Sequence, residues 1–152
     1  MSTPLRLTRR EAVLALGGAA LTLACGRTRS DQPVAIAYGR DECAWCRMTV
    51  DDPTLAAEWI DPDAPPLVFG EPGCLLSWLA AHRDARGTAW VRIRDGDQWL
   101  GATEAVFAHG VVATPMAFNL TAYRGTLAGT DDAAPLTWTR LLEKGVPDAR
   151  PS

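Results

Sequence analysis

The order of segments along this chain predicts an α+β fold, with mostly antiparallel strands and one helix in each half. Three observations carry that expectation. Ala89–Arg94 alternates apolar and polar residues and runs into Asp95-Gly96, a hairpin signal. Glu71–Arg83 places Leu75, Trp78, Leu79 and His82 on one helical stripe. Pro135–Lys144 is a second short amphipathic stretch, stopped by Gly145. Strand-rich, helix, strand-rich, helix is the pattern of helices packed on small antiparallel sheets.

The N-terminus is set apart from the fold. Thr8-Arg9-Arg10 opens a basic region, and Ala12–Ala24 follows as an uncharged, mostly apolar run too short to span a bilayer. A twin arginine before such a run resembles a twin-arginine export signal. The run ends Leu21-Thr-Leu-Ala-Cys25, which resembles a lipobox. Residues 1–24 are therefore expected to be a signal peptide, with Cys25 lipidated as the mature N-terminus. The alternatives, a single-span anchor or an ordinary cleaved signal, also place the rest of the chain outside the cytoplasm. Residues 25–33 read as a polar tether and 146–152 as a loose tail. The expected location is the periplasmic side of a bacterial membrane, held there by lipid.

Between those ends the elements follow in order. Val34–Tyr38 has strand character and stops at Gly39; Cys43–Met48 is a loop; Asp51-Asp-Pro53 is a turn. Ala56–Ile60 and Leu67–Phe69 are strand candidates. In the first helix Pro72 suits the opening turn, Glu71 the positive end of the dipole, and Arg83 and Arg86 the negative end. Gln98–Leu100 returns from the hairpin, Glu104–His109 fits either strand or short helix, and Met116–Tyr123 has strand character. The halves meet near Gly87, dividing 34–145 into roughly 34–87 and 88–145.

The mature chain has about 128 residues, enough for one core of its own. The whole chain carries a formal charge of -3, and removing the basic leader leaves about -5 at ordinary ionisation. Lys144 is the only lysine and the arginines are scattered. Such a surface excludes nucleic acid as a partner.

The chemistry concentrates in Cys43-Ala-Trp-Cys46-Arg-Met48. Thiolate and thioether are soft donors, and soft donors select Cu(I). In an extended segment Cys46 and Met48 would point to the same side. Arg47 would favour the Cys46 thiolate. Structural zinc needs four N or S ligands at close spacing, whereas this chain has only His82, His109 and a lone Cys74 besides the pair. The rival readings are a local Cys43–Cys46 disulfide and a Cys-x-x-Cys thiol–disulfide oxidoreductase. If Cys25 carries lipid, three cysteines remain, and a disulfide framework leaves one over. Cys74 opens the first helix and reads as buried packing, although helix N-termini can activate thiols. Met116, read alone, is core filler. His109 is a packing or surface histidine by default and an accessory copper ligand at most.

Asp41-Glu-Cys43-Ala-Trp-Cys46-Arg-Met48-Thr-Val50 resembles the signature of the NosL family, the copper-binding accessory lipoproteins of nitrous oxide reductase. The likeness extends to Phe69-Gly-Glu-Pro-Gly-Cys74-Leu and to Thr114-Pro-Met116. The resemblance implies one Cu(I) per chain, with nitrous oxide reductase as the partner that receives it, and no catalysis. It implies that Cys46, Met48 and Met116 are copper ligands, with Cys43 either joining them or pairing with Cys46. It also implies a fold of two similar ββαβ-type units. At Ala117 and Asn119 this chain departs from the family, which often has glycines there, residues suited to a special backbone turn.

Overall fold

The computed structural model describes residues 31–125 and 136–147. Cys25, the leader 1–24, most of the tether and most of the tail lie outside the described residues. Within them the fold is a small α+β arrangement of two antiparallel sheets and two helices.

The first sheet contains β1 (Ala57–Ile60), β2 (Leu67–Phe69), β3 (Thr88–Arg92) and β4 (Trp99–Gly101), ordered β2-β1-β3-β4. Helix α1 (Pro72–Ala81) lies between β2 and β3 in sequence, so β1-β2-α1-β3 is a ββαβ run. The second sheet contains β5 (Ala105–His109), β6 (Leu120–Arg124) and β7 (Leu136–Thr137), ordered β6-β5-β7, and β7 leads into α2 (Trp138–Lys144). The chain passes from one sheet to the other between Gly101 and Ala105. A parallel bridge from Ile93 to Ala122 joins the sheets.

The register explains which face holds the core. Ala57 sits opposite Phe69 and Val91, Trp59 opposite Leu67 and Ala89, and Val91 opposite Leu100. These residues share one face by the period-2 rule, and α1 covers it. Trp78 of α1 lies 5.9 Å from Trp59 and 6.0 Å from Phe69, ring centre to ring centre. The alternation expected for Ala89–Arg94 is thus present. The hairpin is longer than its Asp-Gly suggests: Arg92 pairs with Trp99 and Ile93 N–H bonds the Gln98 carbonyl, leaving a four-residue connection. Arg92 spans that connection with an ion pair to Asp97.

The opposite face of the first sheet is covered by the segment from Asp31 to Ala37, which joins no ladder and ends in a turn at 38–40, in place of the strand expected at Val34–Tyr38. Glu58 and Trp90, paired across β1 and β3, hold this strap: Glu58 Oε2 accepts from Val34 N–H at 2.9 Å, and Trp90 Nε1–H donates to the Asp31 carbonyl at 2.8 Å.

Helix α1 is pinned at its N-terminal end. Every residue from Glu71 to Leu76 is buried, while Ala80 and Ala81 are exposed. The helix ends two residues earlier than expected, so Arg83 and Arg86 lie beyond its dipole. His82 closes it instead: Nδ1 is 2.8 Å from the Trp78 carbonyl, which can only accept, so Nδ1 carries the ring proton, and the ring stacks on Trp78 at 4.3 Å. A Cβ on Gly73 would strike the Phe118 side chain. This glycine is what lets the segment before β6 lie against the first turn of α1.

Glu58 generates a pH prediction. Burial pushes its carboxyl up to about 7 from an ordinary 4.5, against the Val34 amide, which pulls it down. The unfolded chain releases this proton at lower pH than the folded chain does. Folding stability is therefore highest below pH 4.5 for this group and is lost as pH rises through 7, by about 3 kcal/mol in all. Urea midpoints measured across that window should show the decline, and Glu58→Gln should flatten it.

Candidate metal centre

Residues 41–50 form a closed loop. Glu42 bridges Thr49, Val50 N–H bonds the Asp41 carbonyl, Cys43 N–H bonds the Met48 carbonyl at 2.8 Å, and Arg47 N–H bonds the Cys43 carbonyl at 3.0 Å. Arg47 takes a left-handed conformation, φ 66°, to make this turn. The segment is therefore not extended, and simple alternation does not put Cys46 and Met48 on one side. Ala44 N–H donates to the Val68 carbonyl at 2.8 Å and fastens the loop to β2. β2 then turns through Gly70-Glu71 into α1, whose third residue is Cys74.

That path brings three thiols together. The sulfur atoms of Cys43, Cys46 and Cys74 all lie within 4.8 Å of one another, and all three cysteines are free. Cys43 and Cys74 are 0% exposed, and Cys46 is partly exposed. The group can hold a metal ion. Cys74, read from the sequence as packing, is both buried and part of the donor group. The local signal is Gly70-Glu-Pro-Gly-Cys74, a turn that delivers a cysteine into the first turn of a helix; the contact of the preceding strand with the Cys43 loop has no local signal.

The thiols divide their protons unequally. The Cys74 S–H donates to Cys43 sulfur and holds the Cys43 thiol down to about 5; burial opposes this, and the backbone N–H groups of Cys46, Gly70 and Trp45 reinforce it. Cys74 is pushed well up because it is the donor, then by burial and by the charges of Cys43, Cys46 and Glu71. Cys46 is raised by burial first, and also by Cys43, against the Met48 amide and Cys74. The thiolate is thus Cys43, rather than the Cys46 thiolate expected beside Arg47. It is stabilised by amides and a neighbouring thiol. A preformed thiolate with two thiols beside it is a metal-capturing arrangement, since the deprotonated sulfur is the ligand.

Neither methionine fills the core. Met48 is 47% exposed and Met116 38% exposed. Met116 lies in a turn before β6 instead of the strand expected there, and it borders a groove of about 1120 Å³ between α1 and α2 that none of the three cysteines line. It is tied to the thiol-bearing helix through its backbone: Met116 N–H donates to Glu71 Oε1 at 2.7 Å. The turn itself is well built despite the absent glycines. Ala117 and Asn119 adopt φ of 59° and 51°. Thr114 and Asn119 bond reciprocally, Thr114 N–H to Asn119 Oδ1 at 3.1 Å and Asn119 N–H to Thr114 Oγ1 at 2.9 Å. Asn tolerates the left-handed region; Ala117 sits there at a cost of about 1–2 kcal/mol.

His109 ends β5 opposite Leu120 and is not one of the clustered donors. Its Nε2 is buried and has no hydrogen-bond partner among the described residues. Trp45, between the two loop cysteines, is 40% exposed.

The thiol division is testable on the reduced protein. Thiolate ultraviolet absorbance should show one cysteine titrating near pH 5. In Cys74→Ala that transition should move up by about one pH unit or more, because the largest stabilising donor is gone while the amides remain. An unmoved transition would mean that the Cys43 thiolate owes nothing to Cys74.

No protein-family model, curated protein or solved structure matches this chain.

Proposed function

We propose that this protein is a membrane-tethered copper chaperone. It binds one Cu(I) outside the cytoplasm and passes it to a recipient by ligand exchange. The observation that carries the reading is the convergence of three free sulfurs from two distant segments within 4.8 Å. Three thiols, with the exposed Met48 thioether on the same loop, make a soft, low-coordinate donor set, which suits Cu(I) better than harder divalent ions. A closed structural zinc site asks for a fourth N or S ligand, and His109 stands apart from the cluster.

A chaperone must also release its cargo. Cys43 and Cys74 are sealed, whereas Cys46 is partly exposed and Met48 lies open on the same loop. That gradient supports a route in which incoming donors replace the outer sulfur ligands first and the buried ones last. The resemblance to NosL accessory lipoproteins makes nitrous oxide reductase the proposed recipient and the periplasmic face of the membrane the proposed site of transfer.

The competing reading is a thiol–disulfide oxidoreductase using Cys43 and Cys46. The lowered Cys43 thiol favours it. Full burial of that sulfur and its place in a closed loop, rather than at a helix start, weigh against attack on an external disulfide.

Reduced full-length chain in detergent should take up one Cu(I), and X-ray absorption should report sulfur coordination. Met48→Ala and Cys74→Ala should each weaken binding in chelator competition by about tenfold or more, roughly 1.4 kcal/mol. Coordination by nitrogen or oxygen alone would sink the proposal. Disulfide reductase activity lost in Cys43→Ser would favour the enzyme instead.

A further inference from the structure

Glu71 stands out among the buried polar groups. Its side chain is 1% exposed, yet it makes no hydrogen bond to its own helix, although it occupies the N-cap of α1. Oε1 reaches across 45 positions of sequence to accept the Met116 N–H at 2.7 Å, and Oε2 has no partner among the described residues. Burying a carboxyl with half its hydrogen-bonding capacity unmet costs about 1–3 kcal/mol. A capping serine or threonine at this position would avoid that cost.

The position of Glu71 explains what the cost accompanies. Gly70, the residue before it, gives its N–H to Cys43 sulfur, and Cys74 lies three residues after it on the first turn of α1. Glu71 therefore lies between the Gly70 amide that bonds the Cys43 sulfur and the Cys74 thiol, and it bonds the one methionine that comes from the second half. The Thr114–Asn119 turn is internally braced but needs an anchor to be placed against α1. Gly73 provides the room for Phe118, and Glu71 provides the bond. Methionine is unbranched, with three rotatable side-chain bonds. With its backbone fixed against the first turn of α1, its side chain keeps the torsional freedom to reorient.

We propose that Glu71 is a positioning residue of the copper site: it fixes the Met116 backbone beside the Cys43–Cys74 pair so that the second half of the chain supplies a sulfur to the ion. This rests on the chaperone reading and on Met116 as a donor. Residues that orient metal ligands typically change affinity by about 10- to 100-fold when removed.

The test uses reduced full-length protein in detergent, loaded with one equivalent of Cu(I). Glu71→Ala should weaken binding about 10- to 100-fold and lower the sulfur count by one, as Met116→Ala does. The double variant should bind no more weakly than Met116→Ala alone. Glu71→Gln keeps an oxygen acceptor for the Met116 amide and should restore both affinity and sulfur count. Should Glu71→Ala fail to fold, Glu71→Asp, which withdraws the acceptor by one methylene, should give the same loss in part. Equal binding by Glu71→Ala and wild type overturns the proposal, as does a loss that adds fully to that of Met116→Ala, the mark of a general structural role. Wild-type binding by Met116→Ala also overturns it while leaving the thiol cluster standing. Absence of Cu–sulfur coordination in the wild type removes the chaperone reading itself.

Discussion

The hydrogen bond from Ala44 N–H to the Val68 carbonyl is the constraint on which the site depends. Without it Cys43 and Cys46 belong to a small closed loop, and Cys74 belongs to a helix thirty residues away. The bond lays the loop along β2, and β2 delivers the chain into α1 with Cys74 in the first turn. Sheet pairing, helix start and sulfur cluster are one construction. The buried run Glu71–Leu76 shows why it is rigid: the end of the helix that carries the thiol is the end held in the core.

The electrostatics follow from the same placement. Three thiols this close cannot all ionise, because like charges at that distance repel strongly in a poorly solvated site. One sulfur takes the charge, and it is the one facing several N–H groups and an S–H. The arrangement holds that charge with neutral donors and needs no fixed cation. A bound monovalent ion would find a thiolate ready and two protonated thiols that must each yield a proton to become full ligands, so capture is coupled to pH.

Much of the architecture was legible in the sequence, and particular residues show why. The alternation in Ala89–Val91 and the stripe through Leu75, Trp78 and Leu79 are local patterns with one packing solution, and both recur in the structure. What was hidden depends on long-range contact. Val34–Tyr38 looks like a strand but joins no ladder, because Glu58 and Trp90 hold the segment from Asp31 to Val34 against a sheet face through single bonds. Arg83 looks like a helix terminus, but the helix ends two residues sooner, capped by His82. Cys46 and Met48 look co-facial only if the segment is extended, and Arg47 bends it. Cys74 was the largest omission in the site: nothing in its own neighbourhood says that the Cys43 loop is packed on the strand that precedes it. Glu71 read as a dipole partner, whereas its side chain serves a backbone amide in the other half.

The reach of Glu71 to Met116 bears on the order in which this chain acquires its shape. The Glu42–Thr49 bridge closes over a few residues, so the Cys43–Cys46 pair can form early, in a short stretch of nascent polypeptide. The anchor across 45 positions requires both sheets to have collapsed, and such distant closures come late. A chain collapsed only in its first half would already hold the three thiols together, with the Met116 turn not yet placed. Docking of the second half is then the last event to reach the start of α1, so the thiol cluster precedes the complete fold in the order of assembly.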